Sequence, residues 1–185
     1  MYRDVKKKII NTAYELFQKH GYEKTTIMDI CKECGITKTT FYRYIASKED
    51  ILTHFFDDIT LQANHLLAQR STSEDYYEQL SDCFQIIIDQ ALRFGPDLYA
   101  QLYVSNIKEN RGTFKMNHHF NELVIEIIRK GQERGQFQNK TDARMLFETL
   151  ADLCFGCGIR WCLSKGYDDF TTSFKAGLAV VVNLK

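Results

Sequence analysis

The sequence predicts an all-α protein of about nine helices, arranged as a three-helix N-terminal head and a larger helical body. Only one proline and ten glycines occur in 185 residues, which leaves little of the turn-rich sequence that β structure requires. Apolar residues recur three and four positions apart along most of the chain, as the buried face of a helix requires. The chain is 44% apolar and 13% aromatic, a composition typical of globular rather than disordered proteins.

The first helix is expected to extend from Asp4 to His20. Its apolar residues lie at helical spacing, and Gly21 follows at the position where a glycine commonly ends a helix. These apolar residues are Val5, Ile9, Ala13, Leu16 and Phe17.

Residues 25–48 predict two short helices joined by a tight turn. Thr26 precedes the first helix and Asp29 lies three residues later, which is the capping-box pattern of a helix start. Gly35 supplies the positive φ that a sharp turn between helices requires. Thr37 then begins the second helix. A helix, a glycine turn and a second helix in this order are typical of helix-turn-helix DNA-binding units.

The second of these helices is expected to bury Phe41 and Ile45 and to expose a basic, hydroxyl-rich face. No acidic residue occurs between Gly35 and Lys48, as expected where a polyanion approaches. The exposed side chains offer donors and methyl groups that suit phosphate oxygens, guanine acceptors and thymine methyls. They are Lys38, Thr39, Thr40, Tyr42 and Arg43. We therefore predict that this face binds DNA.

Residues 3–52 resemble the N-terminal domain of the TetR/AcrR family of bacterial transcriptional regulators. The matching elements are Ile9/Ala13/Leu16-Phe17, Gly21-Tyr22, Thr25-Thr26-Ile27, Asp29-Ile30, Gly35-Ile36-Thr37-Lys38, Phe41-Tyr42-Arg43-Tyr44 and Ser47-Lys48-Glu49-Asp50-Ile51-Leu52. The resemblance implies a sequence-specific, dimeric regulator, a repressor that a small-molecule effector releases from a palindromic operator.

The resemblance also implies which residues of the head contact DNA. The groove would be faced by Lys38, Thr39, Thr40 and Tyr42, phosphates would be bound by Thr26, Tyr44 and Lys48, and either role is open to Arg43.

The charge distribution agrees with DNA contact that is local to the head. The net charge is zero, but residues 1–50 contain ten Lys/Arg and seven Asp/Glu, so the rest of the chain is acidic by the same margin. We expect a DNA-binding domain over 1–46 and an effector-binding and dimerisation domain over 47–185. The N-terminal residues lack the apolar run of a signal peptide, and no stretch has about 18 consecutive apolar residues. A cytoplasmic protein without membrane spans is therefore expected.

Six further helices are expected in the body, each bounded by a capping residue, a glycine or a polar break. Ser47 and Ser73 are the expected caps of the first two. In chain order the six helices cover about Ser47–Arg70, Glu74–Phe94, Pro96–Asn106, Met116–Arg134, Thr141–Lys165 and Asp168–Leu184.

The last two helices are expected to form a homodimer interface. Both have apolar residues on more than one face, and small residues recur along them, which favours close approach between helices. A two-fold dimer would read two half-sites, whereas one recognition helix reads only a few base pairs. The predicted interface residues are Leu150, Cys154, Gly158, Phe174, Gly177, Leu178 and Val181.

The resemblance further implies an effector pocket in the body. Buried Tyr hydroxyl, His and Trp N–H groups need partners, which a ligand can provide. The expected lining residues are Phe84, Ile88, Tyr99, Tyr103, His119, Phe120 and Trp161. Aromatic residues at helical spacing more often form plain core, so that alternative stays open, and the sequence does not identify the effector.

Two Cys-x-x-Cys pairs, Cys31/Cys34 and Cys154/Cys157, raise the question of a metal or redox site. About 120 residues separate the pairs, which does not fit a single zinc ribbon, and no metal or cofactor is expected. We interpret the cysteines as reduced thiols at small core positions, with a thiol-based redox sensor as the alternative. An interaction protein without DNA binding also stays open. An enzyme is not expected, because the sequence has no Gly-rich phosphate loop or evident catalytic constellation.

Overall fold

The computed structural model describes residues 2–54, 74–110, 112 and 118–184. Within those ranges the chain forms nine helical segments and no β-strand, which confirms the predicted all-α class. They are α1 (Tyr2–His20), α2 (Ile27–Cys34), α3 (Lys38–Tyr44), α4 (described over 48–54), α5 (Tyr76–Phe94), α6 (Pro96–Lys108), α7 (His118–Glu133), α8 (Ala143–Leu163) and α9 (Phe170–Val182). None of the described helices has the length and apolar content that crossing a bilayer requires.

The first three helices pack against one another, α1 against both α2 and α3, and α2 against α3. Helices as short as α2 and α3 are marginal in isolation, so their stability comes from burial of apolar side chains in this shared core. The buried residues include Ile9, Ala13, Phe17, Ile30, Phe41 and Ile45.

The predicted start and end signals of α2 and α3 are confirmed. The Thr26 hydroxyl accepts a hydrogen bond from the Asp29 N–H, and the Asp29 carboxylate accepts one from the Thr26 N–H, so both halves of the capping box are present. Gly35 ends α2 in the left-handed region with φ 66°. The Thr37 hydroxyl then caps α3 by accepting from the Thr40 N–H at 3.1 Å.

The predicted cap of α4 is also confirmed, because the Ser47 hydroxyl accepts from the Asp50 N–H at 3.1 Å. The predicted continuation of this helix to Arg70 and the predicted cap Ser73 lie outside the described residues. α5 begins at Tyr76, two residues later than predicted. Its cap is Asp75, whose carboxylate accepts from the Glu78 N–H at 3.0 Å.

α8 and α9 also begin two residues later than predicted, and each is capped by an aspartate. The Asp142 carboxylate accepts from the Arg144 and Met145 N–H groups, and the Asp169 carboxylate accepts from the Thr172 N–H at 2.9 Å. A carboxylate is a strong acceptor that also matches the positive end of the helix dipole. The helix therefore starts after the aspartate rather than at the preceding residue.

The helices of the body form a second core. α8 packs against α7 and α9, and α5 packs against α7, α8 and α9. Phe84 lies near the centre of this core, with its ring centroid 4.8 Å from that of Phe174 and 6.3 Å from that of Phe120. All three rings are buried.

The chain divides into two compact units, one of Met1–Asp58 with Leu98–Thr113 and the other of Ile59–Asp97 with Phe114–Lys185. The first unit contains α1–α3, the described part of α4 and most of α6. The second contains α5 and α7–α9. The predicted domain boundary between residues 46 and 47 stays a prediction.

Candidate nucleic-acid interface

α3 presents four polar side chains on one exposed face. Lys38, Thr39, Tyr42 and Arg43 are all exposed, and their one- and four-residue spacings put them on the same side of the helix. The other side is held by Phe41, which is fully buried. The structure thus fixes in place a set of N–H and O–H donors and a methyl group, the chemistry that reads base edges in a major groove.

The charge on this face is positive. Neither α3 nor its two flanking caps contains an acidic residue, and Lys38 and Arg43 are the basic residues of the helix. The Arg43 guanidinium lies 5.1 Å from the centroid of the Tyr44 ring, which holds it against the helix by a cation–π contact. Such a face favours the approach of a polyanion.

Two predicted contact residues are less accessible than their neighbours on α3. Thr40 is half-buried, and its hydroxyl shares a hydrogen bond of 3.0 Å with the hydroxyl of Thr37. Tyr44 is also half-buried. Thr40 therefore contributes to capping of α3 as well as to the predicted DNA contact, and Tyr44 sits at the edge of the exposed face.

Thr26 is engaged more fully than its predicted role as a phosphate contact implies. Its hydroxyl donates to the Asp29 carboxylate at 2.6 Å and accepts from the Asp29 N–H at 3.2 Å, while its own N–H donates to that carboxylate at 2.9 Å. The first amides of a helix lack intrahelical partners. The N–H groups of Ile27 and Met28 are thus the donors that this end of α2 can offer a phosphate.

The capping arrangement keeps Asp29 ionised. Hydrogen bonds from the Thr26 hydroxyl and the Thr26 N–H hold the pKa of the Asp29 carboxyl below its usual value, and the charges of His20 and Lys32 act in the same direction. The Asp29 carboxylate is therefore bonded at the N-terminus of α2.

The ammonium of Lys48, a predicted phosphate contact, is bonded within the head, and its role on DNA stays a prediction. This ammonium donates to the Tyr22 carbonyl at 2.8 Å and to the Thr25 carbonyl at 3.1 Å. It also lies 4.0 Å from the centroid of the Tyr22 ring. The charge of Lys48 therefore points into the loop between α1 and α2.

The partners in this loop were missed by reasoning from the sequence. Thr25 is 2% exposed, and its hydroxyl reaches back to the carbonyls of Gly21 at 2.9 Å and Leu16 at 3.3 Å. The Tyr22 ring packs against Phe17, with centroids 4.9 Å apart. The Thr25-Thr26 pair was the available signal, because a hydroxyl on each side of a helix start can serve two different segments.

The predicted effector-pocket residues contribute mainly to buried core. Six of the seven are buried, namely Phe84, Ile88, Tyr99, Tyr103, Phe120 and Trp161. His119 is exposed. Tyr99 and Tyr103 contact each other edge to face with centroids 5.0 Å apart, and the Trp161 ring lies 6.0 Å from that of Phe170. Their role in binding an effector stays a prediction.

The predicted dimer residues are largely enclosed within one chain. Leu150, Cys154, Gly158, Phe174 and Leu178 are buried, while Gly177 and Val181 are half-buried. The reason is that α8 and α9 pack against each other: a Cβ on Gly177 would lie 2.7 Å from a methyl of Leu153. The five buried residues expose little surface within one chain, and the role of all seven in a dimer interface stays a prediction.

Other apolar residues on the same helices are exposed. On α8, Ile159 is 44% and Leu163 79% exposed, and on α9 Val180 is 78% exposed. Gly156, Ile159 and Leu163 follow at spacings of three and four and form one stripe along α8. The sequence contained this signal, but α8 is apolar on several faces, and periodicity alone did not identify the outer one.

All six cysteines are free thiols, and five of them are buried. Burial raises the pKa of the Cys31 and Cys154 thiols and raises that of Cys83 to about 12. Cys162 is half-buried, and burial with the nearby charge of Asp97 raises its pKa to about 11. No group of three or more potential metal ligands occurs within the described ranges. The expected burial of both Cys-x-x-Cys pairs is confirmed.

The head matches a known family. A family model described as bacterial regulatory proteins, tetR family, matches residues 9–55. Along most of its length the chain is similar to the HTH-type transcriptional repressor KstR2 of Rhodococcus jostii strain RHA1. The two are 26% identical over 181 residues, which cover 95% of this chain and 88% of the relative.

Solved structures extend the likeness through the body. The chain is similar to Thermus thermophilus FadR, a TetR family transcriptional repressor in complex with lauroyl-CoA, with a TM-score of 0.69 and 22% identity, covering 96% of this chain and 93% of that one. It is also similar to the transcriptional regulator FadR of Bacillus subtilis in complex with stearoyl-CoA, with a TM-score of 0.71 and 18% identity, covering 95% and 96%. These likenesses show a shared fold.

Proposed function

We propose that the chain is a TetR-family transcriptional regulator rather than an enzyme, and that it is a dimeric repressor that a small-molecule effector releases from a palindromic operator. The observation that carries this proposal is the exposed face of α3. There Lys38, Thr39 and Tyr42 project from a helix whose other side is anchored by the buried Phe41. We place this function in the cytoplasm, where free thiols stay reduced.

In the proposed complex, α3 lies in the major groove. Lys38 and Arg43 donate to guanine O6 and N7 or to phosphates, and Thr39 and Tyr42 contact base edges by hydroxyl and methyl groups. The amides at the start of α2, next to Thr26, meet a phosphate. Thr40 and Tyr44 flank these contacts.

The proposed dimer uses the exposed apolar groups of α8 and α9. Ile159, Leu163 and Val180 are large apolar side chains with 44% or more of their surface exposed. Burying such groups against a second copy is favourable by about 25 cal/mol per Å² of apolar surface. Isologous pairing of this surface would place two heads on the two halves of a palindrome.

For the effector we propose a fatty acyl-CoA or a related acyl thioester. Support comes from two transcriptional regulators of the same fold that are in complex with lauroyl-CoA and stearoyl-CoA. The acyl chain would be taken up by apolar side chains of the body, among them the predicted lining residues Phe84, Ile88 and Phe120. An effector that prefers one body conformation shifts the population toward it by its differential affinity. Heads that no longer match the half-site spacing then release the operator.

Selection from random duplex DNA at two salt concentrations tests the DNA-binding part. We expect a palindrome with half-sites about one helical turn apart. The Lys38→Ala, Tyr42→Ala double variant should no longer enrich the palindrome. The control variant Lys165→Ala, which replaces an exposed lysine that follows α8, should still enrich it. If the protein retained DNA only weakly and without sequence preference, the proposal would be contradicted. If it retained no DNA at all, the alternative of a helical interaction protein would be favoured.

The selected operator then serves to test the effector. Lauroyl-CoA and stearoyl-CoA should each dissociate the complex in a fluorescence anisotropy titration, while free coenzyme A should not. Release by neither acyl-CoA would contradict the proposed effector class and leave the DNA-binding proposal unaffected.

A further inference from the structure

A groove of about 570 Å³ lies between the last turn of α1 and the exposed side of α2. We call it the α1–α2 groove. Its walls belong to the compact unit that contains the head. Half of the eight residues that line it are basic, with Lys19 and His20 on α1, Lys24 in the loop before α2, and Lys32 on α2. The groove is thus a cluster of cations outside the exposed face of α3.

The cations of this groove are free to bind a ligand. All four basic side chains are exposed. Within the ranges that the structure describes, Lys19, Lys24 and Lys32 take part in no ion pair. By contrast, the ammonium groups of Lys8 and Lys48 in the same unit donate to backbone carbonyls. The three groove lysines therefore keep their donors for an external acceptor.

Two carboxylates also line the groove, and one of them is already bonded. The Asp29 carboxylate accepts from the Thr26 N–H at 2.9 Å and from the Thr26 hydroxyl at 2.6 Å. Glu33 is exposed and lies on α2 next to Lys32. Three lysines against two carboxylates leave a net charge of +1 when His20 is neutral. The groove therefore favours an anion.

The exposure of these cations indicates which kind of anion they suit. A pocket for a small molecule encloses most of its ligand, whereas these ammonium groups lie at the surface. A nucleic-acid strand carries its phosphates at its own surface and at regular intervals, so that one strand can reach several exposed cations. A duplex is therefore a better match for this groove than a small anion.

The groove also adjoins the part of the head that is proposed to meet a phosphate. Thr25 and Asp29, on either side of the cap Thr26, both line it. The amides of Ile27 and Met28, which lack intrahelical partners, lie at the same end of α2. The groove thus continues the proposed DNA-binding surface from the start of α2 toward α1.

We propose that the α1–α2 groove binds backbone phosphates of the duplex that flanks each half-site, with Lys24 and Lys32 as contact residues. The inference rests on the proposed DNA-binding function and adds a second contact to it. Phosphate contacts carry no sequence information. The groove therefore raises affinity for an operator without reading the flanking sequence, and α3 alone selects the half-site.

Two duplexes test this inference, the selected palindrome trimmed to its ends and the same palindrome with about ten extra base pairs, one helical turn, on each side. Affinity is measured by fluorescence anisotropy at three or more salt concentrations. Each phosphate contact contributes about 0.9 to the slope of log K against log salt. The wild-type protein should therefore show a steeper slope on the flanked duplex, and a changed flank sequence should leave that slope unaltered.

The Lys24→Met, Lys32→Met double variant removes two charges and keeps the length of both side chains. It should bind the trimmed duplex as the wild type does, and it should lose about 0.9 of slope on the flanked duplex for each contact removed. Lys165→Met, Lys175→Met is the matched control, since it removes two exposed lysines of the other compact unit. This control should keep the wild-type slope on both duplexes.

Glu33→Gln should act in the opposite direction. Without this carboxylate the groove repels a flanking phosphate less, so affinity for the flanked duplex should rise by about threefold. Affinity for the trimmed duplex should stay the same. Glu133→Gln, which removes an exposed carboxylate at the end of α7, is the control and should change neither affinity.

Three results would overturn the inference. The first is equal slopes of the wild type on the two duplexes, and the second is an equal loss by the Lys24→Met, Lys32→Met variant on both. The third is calorimetric binding of inorganic pyrophosphate that this variant lacks, together with equal slopes, which would assign the groove to a free anion. Failure of the proposed function would appear separately, as absence of specific binding to either duplex by the wild-type protein.

Discussion

Thr26 and Asp29 cap α2 reciprocally, the Thr26 hydroxyl accepting from the Asp29 N–H and the Asp29 carboxylate accepting from the Thr26 N–H at 2.9 Å. This pair fixes where α2 begins, and therefore where its amides point. The Asp29 side chain accepts these hydrogen bonds more strongly when it is ionised than when it is protonated.

Replacing Asp29 with Asn should change how the stability of the head depends on pH. The pKa of Asp29 is lower in the folded chain than its ordinary value of 3.8, chiefly because of hydrogen bonds from Thr26. Its contribution to stability is thus complete above pH 3.8 and is lost as the pH falls through the lower, folded pKa. The difference in melting temperature between wild type and Asp29→Asn should be largest at neutral pH and should shrink below pH 3.8. If the difference in melting temperature did not change with pH, the ionised Asp29 carboxylate would not be the group that stabilises α2.

Two helical glycines should respond to alanine in opposite ways. A Cβ at Gly131 would overlap the Phe137 ring, which is fully buried, whereas a Cβ at Gly156 would meet nothing within 4 Å. Gly131→Ala should destabilise the protein by about 1–3 kcal/mol through overpacking. Gly156→Ala should stabilise α8 by about 0.5–1 kcal/mol within one chain. Chemical denaturation curves of both variants check this contrast.

The proposed dimer surface is tested by a charge on α8. Ile159→Glu places a carboxylate in the exposed apolar stripe, where burial against a second chain would be costly. We expect this variant to sediment as a monomer and to bind a full palindrome no better than a half-site. Ile107→Glu on α6 is the control, since Ile107 is 83% exposed and lies outside the stripe. Equal sedimentation of both variants and wild type would exclude the stripe as the interface.

Lys38 should behave as a point charge on DNA. Lys38→Ala should weaken operator binding and reduce the slope of log K against log salt by about 0.9 if the ammonium contacts a phosphate. If Lys38 instead reads a guanine, the variant should relax sequence preference at one position and keep the slope. Titrations at three or more salt concentrations separate these outcomes, and full affinity with an unchanged slope would remove Lys38 from the interface.

The cysteines should react slowly in the folded protein. Burial raises the pKa of Cys83 to about 12 and that of Cys162 to about 11, so the reactive thiolate is scarce at pH 8. We expect slow reaction with a disulfide reagent, led by the half-buried Cys162, and rapid reaction of six thiols after unfolding. Cys162→Ser should remove the leading phase. A fast thiol, together with operator binding that peroxide abolishes and reductant restores, would favour the redox-sensor alternative.

Local signals in the sequence were sufficient for the head. The Thr26–Asp29 box, Gly35 and Thr37 each specify a helix end through contacts within a few residues, and the helices begin and end where these residues predict. The sequence also predicts that Phe41 lies on the buried side of α3, opposite the exposed polar face. This follows because the helical repeat of 3.6 residues per turn decides which side chains lie on the same side. The sequence by itself thus determined the fold class, the helix-turn-helix unit and the composition of its exposed face.

Contacts between distant residues were decided only by the tertiary structure. No spacing rule relates Lys48 to the Tyr22 and Thr25 carbonyls, since the pairing depends on how α4 meets the loop before α2. Likewise, α8 is apolar on several faces, and only its packing against α5, α7 and α9 distinguishes the buried Leu150 from the exposed Leu163. The physical reason is the same in both cases. A side chain's type limits what it can bind, but the packing of other elements decides which partner it meets and whether it reaches solvent.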